Sequence, residues 1–369
     1  MQRLLHFFFV IVSLGLSAKS LPKISLLTFA TGNDPHSVFG HTAIRVQDST
    51  TRQDIVYNFG MFDFDTPYFP VKFATGTLDY KLGLQSFRPM LKAYQMAGRQ
   101  VYEQPLAFSK EQTYKVLRSL SVAYQPENRY YRYGFLLKNC STEIREILLA
   151  KDLGVAYGIT DTLHTYRYYL NKYAENMPWL HLGINLALGA SIDRQINTYE
   201  LMFLPDYLSD EIQKANIEET SLATTPVPLL PEMPNSDTST WLPKPFVMFA
   251  ILLVAMVLTK SVILQNIFLC IVGGAGIILT VITGFSEHLE VQLNYNILWV
   301  NPLALLLVFI KRTQLSKVLL SVLLLSLILT LGIWIFEVQG HVTPFYPILI
   351  SLFWIYIKRI KSLYEDTTT

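Results

Sequence analysis

The sequence predicts an α+β exported domain followed by an all-α transmembrane bundle of about five helices. The first half of the chain alternates short period-two segments with amphipathic, cappable helical segments. A polar, proline-dense run covers residues 224–245. Beyond it come long apolar runs, and these hold much of the 51% hydrophobic content of the 369 residues. The expected division is a signal segment 1–20, an exported domain 21–223 with a helical extension, a linker 224–245, a membrane domain 246–358 and a cytoplasmic tail 359–369.

Arg3 opens a positive n-region, residues 4–16 form an apolar h-region, and Ala18-Lys19-Ser20 is a small-residue cleavage pattern. The alternative is an uncleaved N-terminal anchor. Strands are expected at 24–28, at 41–46 where Thr42, Ile44 and Val46 alternate with His41, Ala43 and Arg45, and at 55–59. Pairing Val46 with Ile55 in a hairpin puts Gly60 opposite His41 and Asn58 on the histidine's face. Residues 61–70 are dense in aromatics and turn formers. Further strands are expected at 78–84 and 99–106. Ser109 with Gln112 forms a capping box for a helix to about Tyr124. Asn139 reads as the N-cap of the next helix, and residues 163–173 and 209–217 are also read as helical. The apolar segment 179–190, led by Trp179, suits either a membrane interface or burial in the domain.

The apolar runs 246–259, 262–283, 295–310, 315–336 and 342–357 are the candidate spans. Lys260, Lys311, Arg312, Lys317, Lys358, Arg359 and Lys361 fall in the segments that would be cytoplasmic, whereas the loops 285–294 and 337–343 carry no Lys or Arg. That is the positive-inside pattern for a domain on the far side, with Lys244 a mild exception. The external loops bear Glu287, His288, Glu290, Asn294, Asn296, Asn301, Glu337 and His341. They are either solvated loop residues or functional groups at the mouths of the spans, and His288, Asn294, Asn296, Asn301 and Trp179 are the substrate-binding candidates. His288, Glu290 and His341 match no metal motif, so no metal and no cofactor is assigned. The net charge of +2 with no dense basic tract offers no nucleic-acid footprint.

The chain has two cysteines. Cys270 lies in an apolar span, so Cys140 has no disulfide partner in an oxidising compartment. It is either a buried free cysteine or a functional thiol. Cys140 follows the Asn139 cap directly, and Ile144, Ile147 and Leu148 share its helix face. The positive end of a helix dipole favours the thiolate. His41 is the preferred base because it alone lies in a clear strand, with His36 and His164 as competitors. Asn58 would orient the imidazole, and the backbone N–H groups of Cys140 and Ser141 would stabilise an oxyanion. A thiol at a helix start, with histidine and a polar residue on adjacent strands, is the papain-like layout, and histidine before cysteine is its permuted order. A site of this kind beside a membrane domain suits a phospholipid ester as acyl donor. The rivals are a papain-like hydrolase of a cell-wall peptide or lipid amide, and a non-enzymatic envelope sensor.

Several stretches resemble the periplasmic domain of the bacterial Lnb-type lipoprotein N-acyltransferases: Ser25-Leu-Leu-Thr-Phe-Ala30, Ser37-Val-Phe-Gly-His-Thr-Ala-Ile-Arg-Val46, Asp54 to Phe64, Phe73 to Tyr80, Lys138-Asn-Cys-Ser-Thr-Glu-Ile-Arg145 and Phe203-Leu-Pro205. Asn294 to Pro302 resembles the family's membrane half. The resemblance implies a multi-pass protein of the bacterial inner membrane with a periplasmic catalytic domain. It also implies acyl transfer from a phospholipid, through a Cys140 thioester, to the α-amine of a diacylated lipoprotein. One departure stands out: the resemblance leads one to expect an acidic residue before Asn139-Cys140, where this chain carries Lys138.

Overall fold

The computed structural model describes residues 20–63, 65–231, 242–310 and 314–365. Residues 1–19 of the expected signal segment, the middle of the linker (232–241) and the basic pair Lys311-Arg312 lie outside the described residues. In chain order the N-terminal half holds β1 (Lys23–Phe29), β2 (His41–Asp48), β3 (Gln53–Met61), α1 (Phe69–Thr75), β4 (Asp79–Ser86), α2 (Phe87–Met96), β5 (Val101–Pro105), α3 (Lys110–Ala123), β6 (Tyr130–Arg132) and α4 (Cys140–Leu148). Then come β7 (Asp161–Thr165), α5 (Tyr166–Ala174), α6 (Pro178–Ala187), β8 (Gln195–Asn197), α7 (Thr198–Leu201), α8 (Pro205–Lys214), β9 (Asn216–Ile217), β10 (Thr220–Ser221) and β11 (Val227–Pro228).

An antiparallel sheet of seven strands, ordered β11-β5-β1-β2-β3-β4-β6, organises this half. Period-two alternation sorts its side chains. Leu26, Ile44, Phe59 and Leu82 pack on one face with Leu120 of α3, Ile144 and Leu148 of α4 and Leu208 of α8. Leu27, Ala43 and Val56 pack on the other with Phe87 and Met90 of α2. The expected hairpin register holds, since Val46 pairs with Ile55. Arg45 ties three strands together: it bonds Asp54 at 2.7 Å and Glu103 at 3.0 Å, and its guanidinium lies 3.4 Å over the Phe87 ring.

Several expectations are corrected. The aromatic stretch after Met61 runs into α1, which begins at Phe69, and α2 was not foreseen at all. The segment read as a helix from 163 begins as strand β7, and α5 starts only at Tyr166, where Thr165 caps it. The helix expected at 209–217 begins four residues earlier, at Pro205, and ends at Lys214. Of the two settings expected for the segment 179–190, burial in the sheet domain is not the one helix α6 takes. Its Leu182 joins the core of the C-terminal bundle, and Trp179 packs against Phe249.

The bundle consists of α9 (Pro245–Thr259), α10 (Val262–Phe285), α11 (Leu306–Phe309), α12 (Gln314–Ile335) and α13 (Phe345–Glu365). By length and composition, α10 and α12 are able to cross a membrane, whereas α9 is a shorter apolar helix. The expected span 295–310 is broken: two 3₁₀ turns, Tyr295–Leu298 and Pro302–Leu305, precede the four-residue α11. Irregular backbone at such a depth must be satisfied by protein. Helix α10 comes close enough to cover it because it presents glycines: a Cβ on Gly273 would stand 2.8 Å from the Leu305 nitrogen. Helix α13 runs past Ile357, so the expected tail begins as helix.

Candidate active site

Helix α4 begins at Cys140 because Asn139 caps it. The Asn139 Oδ1 accepts from the N–H groups of Ser141 at 2.8 Å and Thr142 at 2.9 Å, and the Asn139 N–H donates back to Thr142 Oγ1 at 2.8 Å. The Asn139 Nδ2 donates to the carbonyls of Phe135 and Phe203, locking the turn before the thiol to the segment leading into α8. This arrangement corrects one assignment. The Ser141 N–H is committed to the cap and is not an oxyanion donor, which leaves the Cys140 N–H from the expected pair.

The structure brings His41, Asn58 and Cys140 together. His41 opens β2 after Gly40, whose φ of 75° turns the chain into the strand. The His41 Nε2 lies 2.7 Å from Asn58 Oδ1, and the ring's other nitrogen is left for the thiol. Asn58 is itself oriented, because its Nδ2 donates to Gln85 Oε1 at 2.7 Å. Gln85 was missed from the sequence. Its signal was the pairing of β4 with β3, which sets it opposite Val56 and on the face of Asn58. The close approach of α4 to β3 falls at Gly60, where a Cβ would stand 3.8 Å from the Cβ of Cys140. Beside it lies the buried Tyr131 hydroxyl, which has no hydrogen-bond partner among the described side chains.

Burial pushes the Cys140 thiol up, but His41 beside it, the Thr42 N–H and the Ser141 hydroxyl outweigh burial, and the thiol falls below its ordinary value. Burial pulls His41 down, and Arg99 works in the same direction. The thiolate and the bond to Asn58 prevail, and the imidazole rises above its ordinary value. Both shifts favour the thiolate–imidazolium pair. Among the competitors, His36 lies exposed on the rim of the same cleft, and His164 stacks on Tyr168 in an exposed strand. Cys270 lies in α10 and is also free.

The thiol opens into a cleft of about 440 Å³ walled by aromatic rings. On one side Phe135 contacts both Phe39 and Phe203. Phe62, Phe69, Phe73, Tyr80 and Tyr133 form a chain of ring contacts on the other. None of the five expected substrate-binding residues lines this cleft. Asn294 and Asn296 are buried, and their Nδ2 groups donate to carbonyls at the end of α6: Leu186 and Ala187 from Asn294, Asn185 and Leu186 from Asn296. Asn301 caps the second 3₁₀ turn through the Leu303 N–H. Trp179 donates its Nε1–H to the Pro243 carbonyl at 3.2 Å. His288 bonds the Phe73 carbonyl at 3.0 Å and borders a neighbouring cavity. Lys138 lies over the Tyr131 ring, 5.5 Å from its centroid.

The fold and site define a class: a membrane protein with an α/β domain that carries a paired thiol and imidazole ahead of an apolar helical bundle. Comparison with protein families gives the particular one. Residues 16–172 match the Lnb N-terminal periplasmic domain and residues 236–365 the Lnb transmembrane domain, a five-helix unit. The chain belongs to the Lnb family, with a periplasmic domain followed by a membrane domain. No curated protein and no solved structure matches it at a significant level.

Proposed function

We propose that the protein is a thiol-dependent acyltransferase of the bacterial inner membrane, with a permuted papain-like periplasmic domain. The observation that carries this reading is the position of the thiol, in an aromatic cleft to which helix α1 contributes Phe69 and Phe73. Helix α1 is stitched to the end of α10: Ser286 Oγ donates to the Ala74 carbonyl at 2.9 Å and the Glu287 N–H to the Thr75 carbonyl at 2.8 Å. Its outer face exposes Tyr68 and Val71, while Phe69 and Phe73 line the cleft. An acyl chain rising from the bilayer would pass along these rings to Cys140.

In the first half-reaction the Cys140 thiolate attacks the carbonyl carbon of a phospholipid ester. The C–S bond forms, the C–O bond breaks, and the His41 imidazolium gives its proton to the departing lysolipid oxygen. Asn58 and Gln85 hold the ring through Nε2. The Cys140 N–H and the Tyr131 hydroxyl supply hydrogen bonds to the oxyanion. In the second half-reaction an amine attacks the thioester. The C–N bond forms, the C–S bond breaks, and His41 takes the proton that the amine loses. The acceptor, the α-amine of a diacylglyceryl-modified cysteine, is the one the family resemblance implies. The aromatic walls favour amine over water by excluding solvent.

The test is the intact mass of the purified full-length protein after incubation with phospholipid, beside Cys140→Ala. An acyl mass on the wild type alone, discharged by a diacylated lipopeptide, is the expected result. Discharge by water at the same rate would make the protein a hydrolase. No adduct on either protein would remove the thiol from the reaction and favour an envelope sensor.

A further inference from the structure

At the end of the bundle away from the periplasmic domain, a groove of about 350 Å³ lies between α10, α11, α12 and α13. Its polar lining is cationic and rich in donors. The Arg359 guanidinium bonds the Leu307 carbonyl and Asn266 Oδ1, which occupies two of its N–H groups. Lys358 Nζ donates to the Lys260 carbonyl at 3.2 Å and lies 5.0 Å from the centre of the Trp354 ring. Among the described side chains, neither Lys358 nor Arg359 has a carboxylate partner. Gln265 is 2% exposed, and among the described residues its Nε2 has no hydrogen-bond acceptor. Cations and an orphan amide in a largely apolar bundle are costly unless an anion completes them.

We propose that this groove binds the phosphodiester of an anionic phospholipid, in the leaflet opposite the periplasmic domain. The charge selects an anionic lipid, because a choline or ethanolamine headgroup would set its own cation beside Lys358 and Arg359. The apolar part of the lining selects a lipid over free phosphate: Val262, Leu307, Val308, Ile310, Leu320 and Leu363 would flank the glycerol and upper acyl chains. Arg359 bridges α13 to α10 and α11 in the same groove, so the bound lipid would fasten the broken third span to its neighbours. The site is separate from the Cys140 cleft and stands or falls without it.

The experiment is native mass spectrometry of the full-length protein in detergent, with phosphatidylglycerol and phosphatidylcholine added in equal amounts. The wild type should retain phosphatidylglycerol preferentially. Lys358→Gln should reduce that preference about fivefold, the effect expected for one lysine at an anionic lipid. Gln265→Leu removes the orphan donor without changing charge and should also lower retention. It guards against a folding defect, which Arg359→Gln would invite by breaking the Asn266 bond. Equal retention of the two lipids by the wild type, or an unchanged preference in Lys358→Gln, would overturn the site. Displacement of the lipid by millimolar inorganic phosphate would overturn the lipid assignment.

Discussion

The Leu136 N–H donates to Glu290 Oε1 at 3.0 Å, across 154 positions of sequence. Leu136 belongs to the turn that delivers Cys140, and Glu290 belongs to the loop that follows α10. The nucleophile's turn is thus held in part by the membrane half. Gly189 and Ala190 add backbone bonds to Glu290 and Leu293 from the end of α6. Glu290→Ala would leave a buried N–H unpaired, at a cost of about 1–3 kcal/mol. It should lower both the melting temperature and the acylation rate of the full-length protein, while Glu290→Gln, which keeps an acceptor oxygen, should restore much of each.

The thiolate–imidazolium pair predicts a shifted alkylation profile. A thiol lowered by its neighbours stays reactive toward iodoacetamide as pH falls through the ordinary thiol range, and loses reactivity only at its own lower value. Replacing His41 with Gln removes the imidazolium that lowers the thiol, so the midpoint should move to higher pH. An unmoved midpoint would break the assignment of His41 as partner. In the wild type, transfer should also decline on the alkaline side as the raised imidazole loses its proton.

Gln85 acts on the reaction only through Asn58. Gln85→Leu should slow acylation by up to about tenfold, the worth of one neutral hydrogen bond, and leave KM for the lipid unchanged. Asn58→Ala should cost more, because it frees the ring itself. Restoration of the rate by Gln85→Glu, which preserves the acceptor, would separate orientation from packing.

Tyr131→Phe removes a buried hydroxyl that, like the Cys140 Cβ, lies within 4 Å of where a Cβ on Gly60 would stand. Loss of an oxyanion donor costs about a hundredfold in kcat. The alkylation rate of Cys140, which develops no oxyanion, should not change. Equal losses in both measurements would make the hydroxyl a structural group.

Val71, 60% exposed on α1, lies outside the cleft. If α1 meets the bilayer surface, Val71→Asp should raise the apparent KM for vesicle phospholipid about tenfold. With a monomeric short-chain substrate in detergent the variant should match the wild type.

The core of the site was legible because it rests on local rules. The Asn139 cap, the Ser109–Gln112 capping box and the Val46–Ile55 register follow from residue chemistry and period-two alternation. What escaped depended on distant partners. Helix α2 was hidden by Pro89 in its first turn. Gln85 gains its role only when β4 pairs with β3. Asn294 and Asn296 looked like ligand-binding groups at the mouth of a span. Their donors instead satisfy the carbonyl end of α6, a partner more than a hundred residues away.

The family's periplasmic match ends at residue 172 and its membrane match begins at 236. Phe203 and Pro205, which wall the cleft, and the Phe203 carbonyl that anchors Asn139 lie in the stretch between. The working unit therefore does not divide at the boundary that the two modules suggest. A chimera that joined the first module of one relative to the second of another would have to inherit the intervening stretch from a parent able to satisfy both Asn139 and Glu290. Such exchanges should fail by misplacing the nucleophile, even where each module folds.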